Sequence, residues 1–276
     1  MMAVEPTART PRSKRPRPPR REGGIPELVS RVGLPALSFL LLLAAWQALV
    51  VGLRVPEYIV PAPSVFLARV WTARHLLWVH LLVTSREAVL GFAIAAVVSV
   101  PLALLITSVP LLERAVYPVI VFFQLIPKIA VAPLFIVWFG IGQPPKVFLT
   151  FLLCFFPILV DSMTGFKALD RRLLYLTQSM GATPWQTFRY VRLPAALPFV
   201  FSGFKVAIVF AATGAIVGEF VGANAGLGYL LLRGSSYLDT GLIFAVLVAL
   251  SVMGLVLSYG VSGLEQAFMP WKRREE

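Results

Sequence analysis

The sequence predicts an all-α integral membrane protein with about six transmembrane helices. Hydrophobic residues make up 58% of the chain and charged residues 14%, whereas soluble domains average about 45–50% and about 25%. The apolar residues form long blocks rather than the one-sided stripes of soluble helices. Each block has roughly the 20 residues that a helix needs to cross about 30 Å of hydrocarbon. Helix is required because lipid cannot pair backbone N–H and C=O groups.

The chain begins with a basic, proline-rich segment, residues 1–33. Such a composition cannot bury enough apolar surface to fold, so we expect a disordered tail. A cytoplasmic topology anchor explains its positive charge more simply than nucleic-acid binding does. A cleaved signal peptide is not expected, because the charged region is long and the next apolar block spans a full bilayer.

The membrane domain is predicted over residues 34–276. Its only cysteine, Cys154, lies inside an apolar run, so no intrachain disulfide and no cysteine-based metal site can form. The predicted spans are 34–53, 88–107, 115–139, 147–165, 195–221 and 242–263.

Two of these blocks contain residues that change helix geometry. Three prolines in the third block predict a kinked or interrupted helix. Three glycines at four-residue spacing in the fifth block would let another helix approach closely. Ordinary packing and a specialised subunit contact are both open interpretations of this glycine stripe. The prolines are Pro118, Pro127 and Pro133, and the glycines are Gly214, Gly218 and Gly222.

The distribution of Lys and Arg predicts the orientation. With the N-terminus inside, segments 1–33, 108–114, 166–194 and 264–276 hold seventeen of the 25 Lys and Arg residues. Two more, Lys128 and Lys205, lie within apolar blocks. The sequence therefore predicts that both termini are cytoplasmic. The six outside residues are Arg54, Arg69, Arg74, Arg86, Lys146 and Arg233.

The long predicted cytoplasmic loop, residues 166–194, carries the signals of two short helices. A first helix is predicted because apolar residues recur at three- and four-residue spacing, as on one helix face. Gly181 is typical of the residue that ends such a helix. The apolar residues are Leu169, Leu173, Leu176 and Met180.

A second helix is predicted directly after Gly181. Thr183 suits the N-cap, Pro184 suits the first helical position, and Gln186 completes a Thr-x-x-Gln capping box. Leu193-Pro194 is expected to end this helix, because a residue before proline disfavours helical geometry. The result is a glycine-hinged pair of helices, which we call the elbow (residues 169–194).

The elbow is also rich in aromatic side chains. Trp185, Phe188 and Tyr190 are the residue types that anchor protein interfaces. An aromatic belt at the membrane interface is the alternative.

The elbow resembles the signature of the inner-membrane permease subunits of ATP-binding-cassette (ABC) importers. That motif reads Glu-Ala-Ala, three residues, Gly, nine residues, Ile, one residue, Leu-Pro. Gly181 matches its Gly, Val191 takes the Ile position, and Leu193-Pro194 matches its end. Tyr175-Leu176-Thr177 replaces Glu-Ala-Ala, which removes the leading glutamate but leaves the glycine hinge.

Further motifs between about Pro61 and Trp271 are similar to the branch that handles nitrate, sulfonates, taurine and thiamine-pyrimidine precursors. Residues 1–33 are not covered by this resemblance. The motifs are Ile126-Pro127, Pro133-Leu134, Trp138-Phe139-Gly140-Ile141-Gly142, Pro194-Ala195-Ala196-Leu197-Pro198 and Glu219-Phe220-Val221-Gly222-Ala223-Asn224-Ala225-Gly226-Leu227-Gly228.

The resemblance implies a type I ABC importer permease in a bacterial inner membrane. The elbow would be the coupling helix that contacts an ATPase. Two ATPases, an external solute-binding protein and a second identical permease would be the partners, and the solute would be small and anionic or heterocyclic. No Gly-x-x-x-x-Gly-Lys-Ser/Thr motif is present, so ATP hydrolysis is expected on the ATPase subunit. The coupling residues would be Gly181, Ala182, Thr183, Pro184, Trp185, Gln186, Val191, Leu193 and Pro194.

Polar residues inside the spans are candidates for the transport pathway, because they are costly to place in lipid. Lys128 could line a pathway at the broken third span or pair with an acid or with freed carbonyl groups. Lys205 is better explained by extending to the cytoplasmic interface. Gln124 and Glu219 complete the candidate pathway set, and Asp161 is expected to pair locally or face water.

Other classes of function have weaker support. His75 and His80 are interpreted as interfacial surface residues, because no third metal ligand is near. A stand-alone ion-coupled transporter would show inverted repeats and paired acids at mid-membrane, and neither is visible. An intramembrane enzyme would need a nucleophile–base pair or clustered metal ligands. Neither a catalytic residue nor a cofactor or metal site is therefore predicted in this chain.

Overall fold

The computed structural model describes residues 33–271, apart from the side chain of Arg171. The predicted basic tail therefore lies outside the described residues, except for Gly33. The chain comprises two units, and the first ends at Ala48 within the first helix. Every regular element of the described residues is helical.

The helices follow one another with short connections. A 3₁₀ turn separates α4 from α5, and a π-helical segment separates α8 from α9. The elements are α1 (Leu34–Gly52), α2 (Pro63–Thr72), α3 (Arg74–Ser108), α4 (Pro110–Leu125), the 3₁₀ turn (Lys128–Val131), α5 (Ala132–Phe139), α6 (Gln143–Lys167), α7 (Arg171–Ser179), α8 (Pro184–Thr187), the π segment (Phe188–Arg192), α9 (Leu193–Gly222), α10 (Leu227–Ser236) and α11 (Thr240–Phe268).

The prediction of an all-α membrane protein with about six spans is confirmed. Within the described residues, five helical segments are long and apolar enough to cross a membrane, or six if the bent α4–α5 pair is one span. The first is α1, which contains no charged residue over its 19 residues.

The second span is longer than the sequence predicted. Helix α3 begins at Arg74 and has 35 residues, whereas the predicted span began at residue 88. Its first turns are less apolar than a lipid-embedded block, so hydropathy alone missed them. Leu77 instead belongs to a buried cluster with Leu230 and Val246, which joins this end of α3 to α10 and α11. The connection between the first two spans is therefore shorter than the predicted residues 54–87.

The interruption predicted in the third span is confirmed. Helix α4 ends at Leu125. The segment that follows, the 3₁₀ turn together with α5 (Lys128–Phe139), lies at an angle of 78° to α4. Pro127 precedes the 3₁₀ turn, where its missing N–H removes a helical hydrogen bond. Pro133 lies in the first turn of α5, a position that tolerates proline.

The core of the second unit is the packing of α3, α6 and α9. Small buried residues on α3 and α9 let the helices approach closely, as membrane helices require. Cys154 of α6 is buried there, and its thiol lies 3.2 Å from the Ala207 carbonyl oxygen. The small buried residues of α3 and α9 include Ala88, Ala95, Ala207, Ala211 and Ala215.

The glycine stripe of α9 packs against other helices of the same chain. A Cβ atom at Gly214 would lie 2.7 Å from Thr150 Cα, and one at Gly218 would lie 2.9 Å from Lys146 Cα. Both distances are too short for a side chain, so the two glycines permit the α6–α9 contact. The structure thus favours ordinary packing over a subunit contact for this stripe.

Candidate functional site

The first half of the elbow is helix α7 with the turn that follows it. The Asp170 side chain caps α7 by accepting a hydrogen bond from Arg172 N at 2.9 Å. Sequence reasoning did not identify this cap, although Asp is a common N-cap residue. Gly181 follows the helix at φ +76°, and its N–H donates to the Gln178 carbonyl oxygen. The predicted glycine stop is confirmed, because this left-handed conformation favours glycine.

The second half of the elbow begins with the predicted capping box. Gln186 N donates to Thr183 Oγ1 at 3.3 Å, and Thr183 N donates to Gln186 Oε1 at 2.8 Å. Pro184 occupies the first turn of α8, as predicted. The start of this helix is therefore set by local sequence.

The predicted helix end at Leu193-Pro194 is wrong. The chain continues from α8 through the π segment directly into α9, and Leu193 is helical at φ −66° and ψ −49°. Pro194 lies in the first turn of α9, directly after the π segment, and this position tolerates its missing N–H. The elbow is thus joined rigidly to a membrane-spanning helix instead of to a loop.

Of the three aromatic residues of the elbow, one packs against the same chain and two are exposed. Phe188 and Leu193 pack on the cluster that includes Met163 and Phe166 near the end of α6. Phe188 therefore holds the elbow against α6, whereas the sequence predicted that it would contribute to an exposed aromatic surface. Trp185 is 66% exposed and Tyr190 70% exposed. Of the other predicted coupling residues, Gly181, Thr183, Pro184 and Gln186 are exposed, whereas Ala182, Val191 and Pro194 are half-buried.

A buried polar network lies at the opposite end of α9. Glu219 is fully buried, and its Oε1 accepts a hydrogen bond from Thr84 Oγ1 of α3 at 2.6 Å. Its Oε2 accepts from Gly228 N, and Thr84 Oγ1 also accepts from Leu227 N. Gly226 has φ +116°, and a Cβ there would lie 2.0 Å from Glu219 Oε1. Glu219 thus holds the start of α10 against α3.

Sequence reasoning missed Thr84 and three further members of this network. Lys146 Nζ donates to Glu87 Oε1 at 2.9 Å, and both side chains are buried. His80 Nδ1 accepts from Gly226 N at 2.9 Å, and its ring stacks on Tyr229. The interpretation of His80 as a surface residue is therefore wrong, whereas His75 is exposed. One available signal was the position of Glu87 and Lys146, each immediately before an apolar block.

Replacing Glu219 with glutamine is expected to destabilise the connection between α9 and α10. Both carboxylate oxygens accept hydrogen bonds, so the amide nitrogen of glutamine would either face Gly228 N as a second donor or displace the bond from Thr84, whose hydroxyl would then be left with the longer 3.2 Å bond to the His80 carbonyl oxygen. A buried group without its hydrogen bond costs about 1–3 kcal/mol. Thermal unfolding of the purified variant should occur at a lower temperature than wild type. An unchanged midpoint would contradict the structural role of Glu219.

The other predicted pathway residues have local partners. Lys128 Nζ donates to the Gln124 carbonyl oxygen at 2.7 Å, which matches the alternative of pairing with a freed carbonyl. Lys205 forms an ion pair with Glu265 near the end of α11, a partner that the prediction did not include. Asp161 lies against α9, where its Cβ is 3.0 Å from the position that a Cβ of Gly203 would take. Of the predicted pathway residues, Gln124 and Lys128 thus contact each other. Lys205 instead pairs with α11, and Glu219 contacts α3 and α10.

Comparison with known proteins decides the family of this chain. Residues 99–274 match the family described as "Binding-protein-dependent transport system inner membrane component". The chain belongs to this family. The matched residues contain the elbow, Lys128 and Glu219, whereas Thr84 and Glu87 precede them.

Two curated members of the binding-protein-dependent transport family cover most of this chain. It is 38% identical over 243 residues to the "Riboflavin transport system permease protein RibX" of Chloroflexus aurantiacus, covering 87% of this chain and 90% of RibX. It is 36% identical over 244 residues to the "Formylaminopyrimidine transport permease protein ThiX" of Halalkalibacterium halodurans, covering 87% of this chain and 96% of ThiX. The chain is thus an ABC importer permease by family and a membrane transport component, not an enzyme.

A solved structure supports the fold of this permease family. The permease chain of the inward-facing "MetNI methionine ABC transporter" has a TM-score of 0.58 and 23% identity to this chain. The match covers 71% of this chain and 96% of the MetNI chain. The predicted type I importer fold is confirmed.

Proposed function

We propose that two copies of this permease form the pathway of an ATP-driven importer with both termini in the cytoplasm. Two ABC ATPases would bind the elbows, and an external binding protein would deliver the solute. The excess of Lys and Arg in segments such as 1–33 and 166–194 supports this orientation. The exposed elbow would then lie on the side of the membrane where ATP is available.

The observation that carries this proposal is the construction of the elbow. Its hinge at Gly181 and its capping box at Thr183 position the exposed side chains of Trp185 and Tyr190. Tyr and Trp are the residues that most often anchor protein interfaces. The continuous path from α8 into α9 would transmit a displacement of the elbow to the membrane helices, because packed helices move as rigid bodies.

ATP would bind to the partner subunit. The full sequence contains no Gly-x-x-x-x-Gly-Lys-Ser/Thr phosphate loop, which is the motif expected of a chain that hydrolyses ATP. A stand-alone ion-coupled transporter was the alternative. Membership in a binding-protein-dependent family, together with the elbow, favours an ATPase-driven importer over that alternative.

The solute is proposed to be small and heterocyclic or anionic. The relatives named for riboflavin and for formylaminopyrimidine share 38% and 36% identity with this chain. The relatives named for anionic solutes are less similar: SsuC of Escherichia coli, named for aliphatic sulfonates, shares 31% identity over 215 residues, and TauC of the same organism, named for taurine, shares 24% over 251 residues. The heterocyclic class therefore has the stronger support.

Replacing Gly181 with valine tests the coupling function. The residue has open space around it, so the substitution acts through the φ of +76° rather than through a clash. A non-glycine residue in this conformation costs about 1–2 kcal/mol, more if β-branched. We expect about 5- to 30-fold less ATPase bound to the purified permease. Quantitative co-purification of the tagged complex measures this loss.

A Gly181→Asn variant is the matched control, because asparagine tolerates the left-handed conformation better than other residues do. It should retain most of the bound ATPase. Both variants should insert in the membrane at wild-type levels, because residue 181 is exposed. Wild-type co-purification by Gly181→Val and by Trp185→Ala together would contradict the proposed role of the elbow.

A further inference from the structure

A cavity of about 660 Å³ lies between α4 and α6, where α6 leads into the elbow. Its α4 side includes Arg114, Tyr117 and Pro118, which share one helix face because they are three and four residues apart. Arg114 is exposed and Tyr117 is 47% exposed. The cavity is therefore open along α4, and we call it the α4–α6 groove.

The α6 side of the groove is also a single helix face. Val160, Met163, Thr164 and Lys167 follow one another at three-, one- and three-residue steps, which keeps them in one row. Val160 precedes Lys167 by seven residues, or about 10 Å along a helix. Each wall therefore carries its basic residue at one end and less polar side chains, such as Pro118 and Met163, further along.

The two basic ends lie at the same end of the groove. Glu113 of α4 forms an ion pair with Lys167 of α6, whereas Lys128, beyond the other end of α4, lies over the Phe156 ring. The start of α4 thus faces the end of α6, and the helices run antiparallel. Arg114 and Lys167 therefore flank the same mouth of the groove, and its apolar part extends away from them.

Arg114 supplies the uncompensated positive charge of this mouth. Lys167 is largely neutralised by Glu113. Across residues 33–271, no acid forms an ion pair with Arg114 under a 4 Å limit between nitrogen and oxygen. A guanidinium carries five N–H donors in a planar fork that matches the oxygens of a phosphate group. The mouth therefore offers donors and net positive charge to a phosphate.

We propose that the α4–α6 groove binds the head-group region of one anionic phospholipid of the cytoplasmic leaflet. The inference rests on the proposed function, whose orientation puts segments 108–114 and 166–194 in the cytoplasm. The phosphate accepts hydrogen bonds from Arg114, and the first acyl methylenes pack on Met163 and Val160. Basic pockets between membrane helices on the cytoplasmic side are suited to anionic head groups. The volume is also within the range of about 300–1,000 Å³ for ligand sites.

Other occupants match only part of the groove. A second permease copy docked here by a twofold axis would place its own Arg114 near the first, because such contacts pair identical surfaces. A soluble anion would bind the basic mouth but leave the apolar walls uncovered. A zwitterionic lipid has a cationic group that Arg114 repels. An anionic lipid satisfies both the mouth and the apolar walls.

Native mass spectrometry of the delipidated permease–ATPase complex tests the inference, with phosphatidylglycerol or phosphatidylcholine added in steps. We expect one phosphatidylglycerol per permease, bound about 5-fold more tightly than phosphatidylcholine, because one uncompensated arginine attracts the anionic head group. Arg114→Gln should remove this difference by weakening only phosphatidylglycerol. Thr164→Phe places a ring in the groove from an exposed position and should weaken both lipids.

Two further variants serve as controls. Arg114→Lys keeps the charge and should retain most of the preference for phosphatidylglycerol. Arg172→Gln removes the same charge from an exposed residue of α7 that does not line the groove, so it should bind both lipids like wild type. Soluble sn-glycerol 3-phosphate, added at the lipid concentration, should displace no lipid, because it lacks the acyl chains.

Four results would each overturn the inference. They are equal binding of the two lipids, wild-type phosphatidylglycerol binding by Arg114→Gln or by Thr164→Phe, a loss in Arg172→Gln as large as in Arg114→Gln, and displacement of the lipid by sn-glycerol 3-phosphate. The proposed function fails differently, because a permease that does not co-purify with an ATPase would count against the importer assignment. A complex that assembles and takes up solute with ATP but meets an overturning result rejects the lipid site alone.

Discussion

Replacing Lys146 with methionine is expected to lower the free energy of unfolding by about 3–5 kcal/mol, because it leaves a buried acid without its partner. Lys146 Nζ lies 2.9 Å from Glu87 Oε1, and the two side chains are 9% and 3% exposed. Glu87 Oε2 is buried without a hydrogen-bond partner among the described residues. Lys146 is therefore the main compensation for the buried carboxylate.

The measurement is the thermal unfolding of the detergent-purified permease, followed by intrinsic tryptophan fluorescence. The double variant Glu87→Gln with Lys146→Met is the matched control, because it removes both charges. It should recover much of the lost stability, since replacing both partners of a buried ion pair is often nearly neutral. If the single and double variants unfold at the same temperature, Lys146 does not act by neutralising Glu87.

Replacing Gly218 with valine is expected to separate α6 from α9. A Cβ at this position would lie 2.9 Å from Lys146 Cα, which is backbone and cannot rotate away. Overpacking a close contact typically costs about 1–3 kcal/mol, and a backbone clash belongs at the upper end. The same displacement would move Lys146 away from Glu87. We expect a large loss of folded protein, measured by size-exclusion chromatography of the detergent extract.

Gly254 of α11 offers the matched control. A Cβ there has no neighbouring atom within 4 Å, so Gly254→Val adds the same side chain without a clash. This variant should elute like wild type. Equal yields of the Gly218 and Gly254 variants would show that the α6–α9 contact does not require glycine.

Local sequence was sufficient for the apolar core of each span, for the end of the first elbow helix and for the start of the second. A span depends on some twenty consecutive apolar residues, and a cap depends on residues three or four positions apart. The Thr183–Gln186 capping box and the stop at Gly181 were therefore predictable. The break at Pro127 was predictable for the same reason, because proline removes its own N–H whatever surrounds it.

Long-range partners were not predictable in this way. Glu87 and Lys146 are 59 residues apart, and Thr84 and Glu219 are 135 apart, so no local pattern indicates that they meet. The position of His80 against Gly226 likewise depends on the packing of α3 beside α10.

What the sequence by itself determined was a membrane-spanning helical chain with a capped, glycine-hinged elbow, because those features follow from hydropathy and from contacts within a few residues. Tertiary structure alone decided that α8 continues through Pro194 into α9, that Phe188 anchors the elbow, and which buried charges pair. The physical reason is that a helix end, an anchor or an ion pair in the core is stabilised by whichever side chains the fold brings beside it.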